Sequence, residues 1–327
     1  MPFFEGLARK FRKEEMTAPE NETTEISVDF GSAEKRYKGQ DSMFANDQVI
    51  AVADGVSSIK GGEVASNLAA MEMFTLPDLS KATEDEAIEA MRAAFDRAQK
   101  AIMKEYSHHL AMGEPVPATT LSAMSLFDNN KRAIIGNIGD SSVCRVRNGK
   151  ILRLTPEDSL IAFFEDAGIK INYDEKDRAS LNRPLAEAVD VVSLNAAKKK
   201  MDEETWDKYR AQLKDERDRG TTVNEARNLL MDALGRTSPN PHIFAADVEP
   251  GDVFLAFTDG LDKKLSFEEV GEIVSKYPDK SAKELAVLLA NMGVDKDDTS
   301  VAVLSVYEEL DVESEIEEQT AKTQKAK

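Results

Sequence analysis

The sequence predicts an α+β fold in which two antiparallel β-sheets pack face to face and helices cover their outer sides. Three observations carry this. VIAVA at 49–53 and VFLAF at 253–257 are apolar on both faces, so both sides of their sheets must be covered. Asn148-Gly149 between SVCRVR and KILRL marks a two-residue hairpin, because both positions tolerate positive φ, and a hairpin makes its strands antiparallel. Ile88, Met91, Phe95, Ala98 and Ile102 recur at helical spacing through 84–105, giving one helix an apolar stripe to lay on a core.

Taken in order, residues 1–22 read as an N-terminal tail, polar apart from Phe3, Phe4, Leu7 and Phe11, whose spacing would suit one short amphipathic helix. A single domain is expected over 23–308. Its strands are predicted at 25–30, 48–53, 120–127, 132–138, 142–147, 150–154, 243–248, 252–258 and 299–306. Between the sixth and seventh, 160–226 break the pattern and read as a flap-like insertion at the site's edge. It holds the charged helix candidate MDEETWDKYRAQLKDERDRG, in which Trp206 is a packing anchor. Ser266 with Glu269 and Ser281 with Glu284 are capping boxes that open helices near 267–276 and 282–292, the second stopping at Gly293. Residues 309–327 have the composition of a solvated C-terminal tail.

Composition excludes several classes of function. A chain of 327 residues with 41% hydrophobic content can bury a large core. Its net charge of −19 argues against nucleic acid, whose backbone needs a basic face. No apolar run approaches the roughly 18 residues that span a bilayer, and the first residues lack a signal-peptide core, so a cytoplasmic protein with no membrane span is expected. The single cysteine, Cys144, lies in a strand-like run and reads as core.

Aspartates at strand ends point to the chemistry. Asp54, Asp140, Asp259 and Asp297 each end or follow an apolar run, and each is costly to desolvate unless a cation, hydrogen bonds or water compensate it. Oxygen ligands without nearby Cys or His favour Mg2+ or Mn2+ over zinc.

Their context is more specific. The chain reads Arg36-Tyr37-Lys38-Gly39-Gln40-Asp41, Val52-Ala53-Asp54-Gly55, Ala118-Thr119-Thr120-Leu121, Asn137-Ile138-Gly139-Asp140-Ser141, Ala233-Leu234-Gly235, Pro250-Gly251-Asp252, Thr258-Asp259-Gly260-Leu261 and Asp297-Asp298-Thr299-Ser300-Val301. In that order and spacing, over about residues 25–307, it resembles the type 2C family of metal-dependent serine/threonine protein phosphatases. The resemblance implies a four-layer α-β-β-α sandwich and hydrolysis of phosphoserine and phosphothreonine in phosphorylated protein substrates. The water that attacks phosphorus would bridge two ions. Asp54 would link both ions, with the Gly55 carbonyl as a further ligand, and Asp259 and Asp297 would complete the second. Asp41 would orient water, Asp140 with Asp259 matches a third, weaker ion, and Arg36 would grip phosphate.

Departures from the family qualify this. Val56, Ser57, Ser58 and Ile59 stand where many members carry a histidine, and His108 and His109, read at the far end of a helix, and His242, read in a proline-rich turn, are surface or structural. Gln40 replaces a frequent glutamate, Ala118 a glycine, Ser142 an arginine and Lys263 an acid. A weakly active or inactive phosphoprotein-binding regulatory module of the same fold is the alternative, and a two-metal nuclease is disfavoured by the charge.

Overall fold

The structure, a computed structural model, describes residues 26–174 and 177–308. The two expected tails, with the short helix suggested by Phe3, Phe4, Leu7 and Phe11, lie outside the described residues. In chain order the elements begin with β1 (Ile26–Lys35), β2 (Asp41–Ala45), β3 (Val49–Asp54), α1 (Gly62–Phe74), α2 (Glu84–Glu105) and α3 (Ser107–Met112). Then come β4 (Leu121–Phe127), β5 (Arg132–Ile138), β6 (Ser142–Arg147) and β7 (Lys150–Arg153). Six helices follow: α4 (Leu160–Asp166), α5 (Arg178–Leu181), α6 (Leu185–Ala188), α7 (Val191–Lys198), α8 (Glu203–Arg219) and α9 (Val223–Arg227). The chain closes with β8 (His242–Asp247), β9 (Val253–Phe257), α10 (Asp259–Asp262), α11 (Phe267–Lys276), α12 (Ala282–Met292) and β10 (Thr299–Glu308). Val28–Tyr307 form one compact unit; of the other, made of the chain ends, only Ile26, Ser27 and Glu308 are described.

Two five-stranded sheets, ordered β1-β10-β9-β6-β7 and β2-β3-β4-β5-β8, form the centre. Alternation along the strands builds the layers. Val49, Ala51 and Ala53 of β3 join Met91, Phe95 and Ile102 of α2 in one core, while Ile50 and Val52 are buried on the opposite face. Leu255 and Phe257 of β9 join Val270 of α11 and Leu289 of α12 in a second core, and Phe254 is buried on the other side. The fold is therefore the expected four-layer sandwich. Asn148 and Gly149 turn the β6–β7 hairpin at φ of 51° and 74°. Cys144 is buried in β6.

Two elements depart from expectation because their local signals are weak. β2 is short and largely half-buried, so it shows no clean apolar run. Helix α1 opens on Gly61 without a side-chain cap and buries small residues such as Ala65, Ser66 and Ala69. His242 is the first residue of β8, opposite Asn137, not part of a proline-rich turn. His108 and His109 belong to the separate short helix α3 rather than to the end of α2.

Between β7 and β8, helices α4 to α9 enclose their own small core of Leu160, Phe164, Ile169, Leu185 and Val223. Its roots reach the strands that carry the candidate site. Gly139 N–H donates to Asp158 Oδ2 (2.8 Å), and Leu234 exchanges backbone hydrogen bonds with Thr119.

Candidate metal centre

Register and turns bring the strand-end aspartates together. Asp41 opens β2 and Asp54 closes β3, and the two lie opposite each other in the antiparallel ladder. Asp140 sits in the turn between β5 and β6, Asp259 begins the single turn α10 after β9, and Asp297 lies just before β10. Both sheets thus contribute acids to one end of the sandwich.

Hydroxyls hold this arrangement. Asp54 N–H donates to Thr120 Oγ1 (2.8 Å), Thr119 Oγ1 donates to the Asp54 carbonyl (2.9 Å), and Thr120 Oγ1 also meets Ser141 Oγ at 2.8 Å. Thr258 Oγ1 donates to Asp41 Oδ2 (2.7 Å) and accepts from Ser300 N–H (3.0 Å), tying the two sheets. Gly55 must lack a side chain, because a Cβ there would lie 2.3 Å from the Gly62 carbonyl oxygen.

Burial and mutual repulsion dominate the electrostatics. Burial lifts Asp54 well above the usual carboxylate range, and Asp41, Asp259 and Asp140 add to the rise. Asp140 is raised by burial and then by Asp259 and Asp262. Burial pushes Asp41 up to about 7, with the Thr258 hydrogen bond opposing and the Asp298 charge assisting. Asp259 is raised too, chiefly by burial, with Lys263 pulling the other way.

One atom singles the cluster out. Asp259 Oδ1 is buried without a hydrogen-bond partner. An all-oxygen donor set with an unsatisfied buried carboxylate oxygen suits a hard divalent cation. Among the described residues, however, no three acids, histidines or cysteines converge closely enough to cage an ion. Lys263 stands among them: its Nζ lies 2.6 Å from Asp259 Oδ2 and 2.8 Å from Asp297 Oδ2. Lys38 Nζ is 3.6 Å from Asp297 Oδ1.

Arg36 lies at the rim. Its guanidinium forks onto Glu34, through Nε to Oε1 (3.1 Å) and Nη2 to Oε2 (3.0 Å), and its side chain is 69% exposed. With Asp41, Phe44, Met71 and Phe74 it lines a cleft of about 340 Å³.

Three residues had no assigned role in the sequence analysis. Asp298 accepts backbone N–H bonds from Tyr37, Lys38 (2.8 Å), Gly39 (3.0 Å) and Gln40 (2.7 Å), fixing the loop between Arg36 and Asp41. Burial alone would raise its carboxyl, and these N–H groups bring it below the ordinary value. Asp262 is pushed up to about 7 by burial, then by Asp259. Thr258 bonds Asp41 as described. Thr258 and Asp298 sit inside the quoted motifs and Asp262 directly follows one, which is the signal that could have found them.

Comparison with known proteins identifies the family. The family model for Protein phosphatase 2C matches residues 35–290, more than half of the 327 residues. The chain belongs to the protein phosphatase 2C family. That family is one of metal-dependent serine/threonine phosphatases. Serine/threonine protein phosphatase PstP of Mycobacterium tuberculosis is 23% identical over 275 residues, 84% of this chain and 43% of that protein. The chain therefore spans less than half the length of the curated relatives it matches.

Solved structures agree on the fold. The M. tuberculosis phosphatase PstP/Ppp superposes with a TM-score of 0.61 at 20% identity, covering 86% of this chain and all 100% of that one. The PstP catalytic domain in complex with 2 manganese ions gives 0.58 at 20% identity, over 86% and 99% of the two chains. A serine/threonine phosphatase of S. agalactiae gives 0.57 at 19%, over 87% and 100%. Within the protein phosphatase 2C family, the departure at Lys263 is the one that falls inside the acid cluster.

Proposed function

We propose that this chain hydrolyses phosphoserine and phosphothreonine in proteins with the help of Mg2+ or Mn2+ held by Asp54, the Gly55 carbonyl, Asp259, Asp297, Asp140 and Asp41. The observation that carries the reading is the buried Asp259 Oδ1, unpartnered within a cluster of acids that raise one another. Divalent cations, when bound there, offset that charge, acidify water and stabilise the phosphoryl group.

The chain's own residues do the rest. Asp54 and Asp41 are fixed by ladder register and by the Thr120 and Thr258 hydroxyls, so no reorganisation is needed during reaction. Arg36 keeps the Nη1–Nη2 edge of its planar guanidinium for two phosphate oxygens, while Glu34 holds Nε and Nη2 in place before substrate arrives. The exposed Met71 and Phe74 offer apolar surface beside it for the residues flanking the phosphorylated one. The helices from Leu160 to Arg227 are read as a flap rooted at Asp158 and Leu234.

The test is turnover of a phosphoserine/phosphothreonine peptide panel with Mn2+, Mg2+ and chelator. Undiminished hydrolysis after exhaustive chelation rejects the proposal. Lys263 between Asp259 and Asp297 supports a second reading, a weakly active phosphoprotein-binding module. Binding of the phosphopeptides without turnover at saturating metal would favour it.

A further inference from the structure

Asp259 and Asp297 come from different elements, one from the turn after β9 and one from the loop before β10. Their only cationic neighbour at hydrogen-bond distance among the described contacts is the Lys263 ammonium, at 2.6 Å and 2.8 Å. This is not a surface pair of the ordinary kind: the Asp259 side chain is only 14% exposed and that of Asp297 27%. Two carboxylates so placed repel each other unless a cation lies between them. An ammonium provides one of the two positive charges they lack and the N–H donors their oxygens need. Lys263 does this while covalently attached, so its presence at the pair does not depend on the concentration of any ion. The oxygens it engages are the Oδ2 atoms; Asp259 Oδ1 stays buried and unpartnered.

We propose that Lys263 is a tethered cation that takes the place of one divalent ion at Asp259 and Asp297, so that this centre takes up one ion fewer than its carboxylates would gather without it. The inference rests on the metal-centre reading above and deepens it. Ion uptake at Asp54 and its neighbours continues, while the Asp259–Asp297 pair stays joined and partly compensated even in chelator.

The experiment is equilibrium dialysis of the full chain against Mn2+, with metal analysis, for wild type and for Lys263→Gln, Lys263→Met and Lys263→Arg, with melting curves in chelator and in Mn2+. The two neutral variants should bind one more Mn2+ per chain than wild type, and Lys263→Arg should match wild type. In chelator the neutral variants should melt below wild type, and Mn2+ should close that gap. Neutral variants that fold only with Mn2+ would also support the proposal, since the ion then replaces the ammonium. Equal Mn2+ counts and affinities in all four proteins would overturn it while leaving the metal centre intact. Neutral variants that stay unfolded with or without Mn2+ would overturn it as well, making Lys263 purely structural. Absence of Mn2+ binding in every protein would overturn both this inference and the metal-centre reading.

Discussion

At Asp54 one carboxylate serves opposite ends. Burial and its acidic neighbours raise its carboxyl well above the ordinary value, so without a cation the ionised form is destabilising at neutral pH. Asp54→Asn should therefore raise the melting temperature in chelator. The same change should lower kcat by at least about a hundredfold, since a loss of roughly 3 kcal/mol in charge stabilisation is about two decades in rate. Asp259→Asn and Asp297→Asn should lose activity similarly. Wild-type turnover by any of the three at saturating metal would remove that residue from the centre. Arg36 sits outside the acid cluster, at the rim beside Glu34, and would touch phosphate in ground and transition states alike. Arg36→Ala should then raise KM several-fold with a smaller fall in kcat. Unchanged constants would make it a surface residue held by Glu34.

Among the elements, the turn at α10 and the loop before β10 are packed backbone to backbone. A Cβ at Gly260 would lie 2.0 Å from the Asp298 carbonyl oxygen and 2.6 Å from Thr299 Oγ1. Gly260→Ala must push Asp259 and Asp297 apart, at about 1–3 kcal/mol in stability. Metal affinity should fall more than that overpacking alone accounts for; wild-type affinity in this variant would show that the two loops move independently. Strands β3 and β9 were legible in the sequence, because VIAVA and VFLAF are apolar on both faces. So were α2, α11 and α12, which carry capping boxes at Thr83, Ser266 and Ser281, the last two read from sequence alone. Short helices such as α5 and α6, four residues each, were not, since one turn holds no period to detect. The site was legible as a set of acids, for strand ends deliver them. The position of the Lys263 ammonium was not, because it depends on how two loops distant in sequence meet.

For the molecule as a whole, the acid cluster sets a pH dependence. Asp41 and Asp262 rise from 3.8 to about 7, so between those values the folded chain holds protons that the unfolded chain has released. Stability contributed by these groups is full below the unfolded value and is lost as pH rises through the folded one. In chelator the melting temperature should fall from pH 5 to pH 8, and Mn2+ should flatten the slope. A flat profile in chelator would show that these carboxyls are not strained. No helix among the described residues is long and apolar enough to cross a membrane. The Thr258–Asp41 hydrogen bond has a mechanical consequence. It joins β9's end to β2's start across the two layers, and any ion shared by Asp54 and Asp259 would rivet the same seam. Sliding of one sheet over the other would have to shear both fastenings at once. Amide hydrogens near Asp41, Asp54 and Thr258 should then exchange as one breathing unit, fast in chelator and slow when the rivet is set.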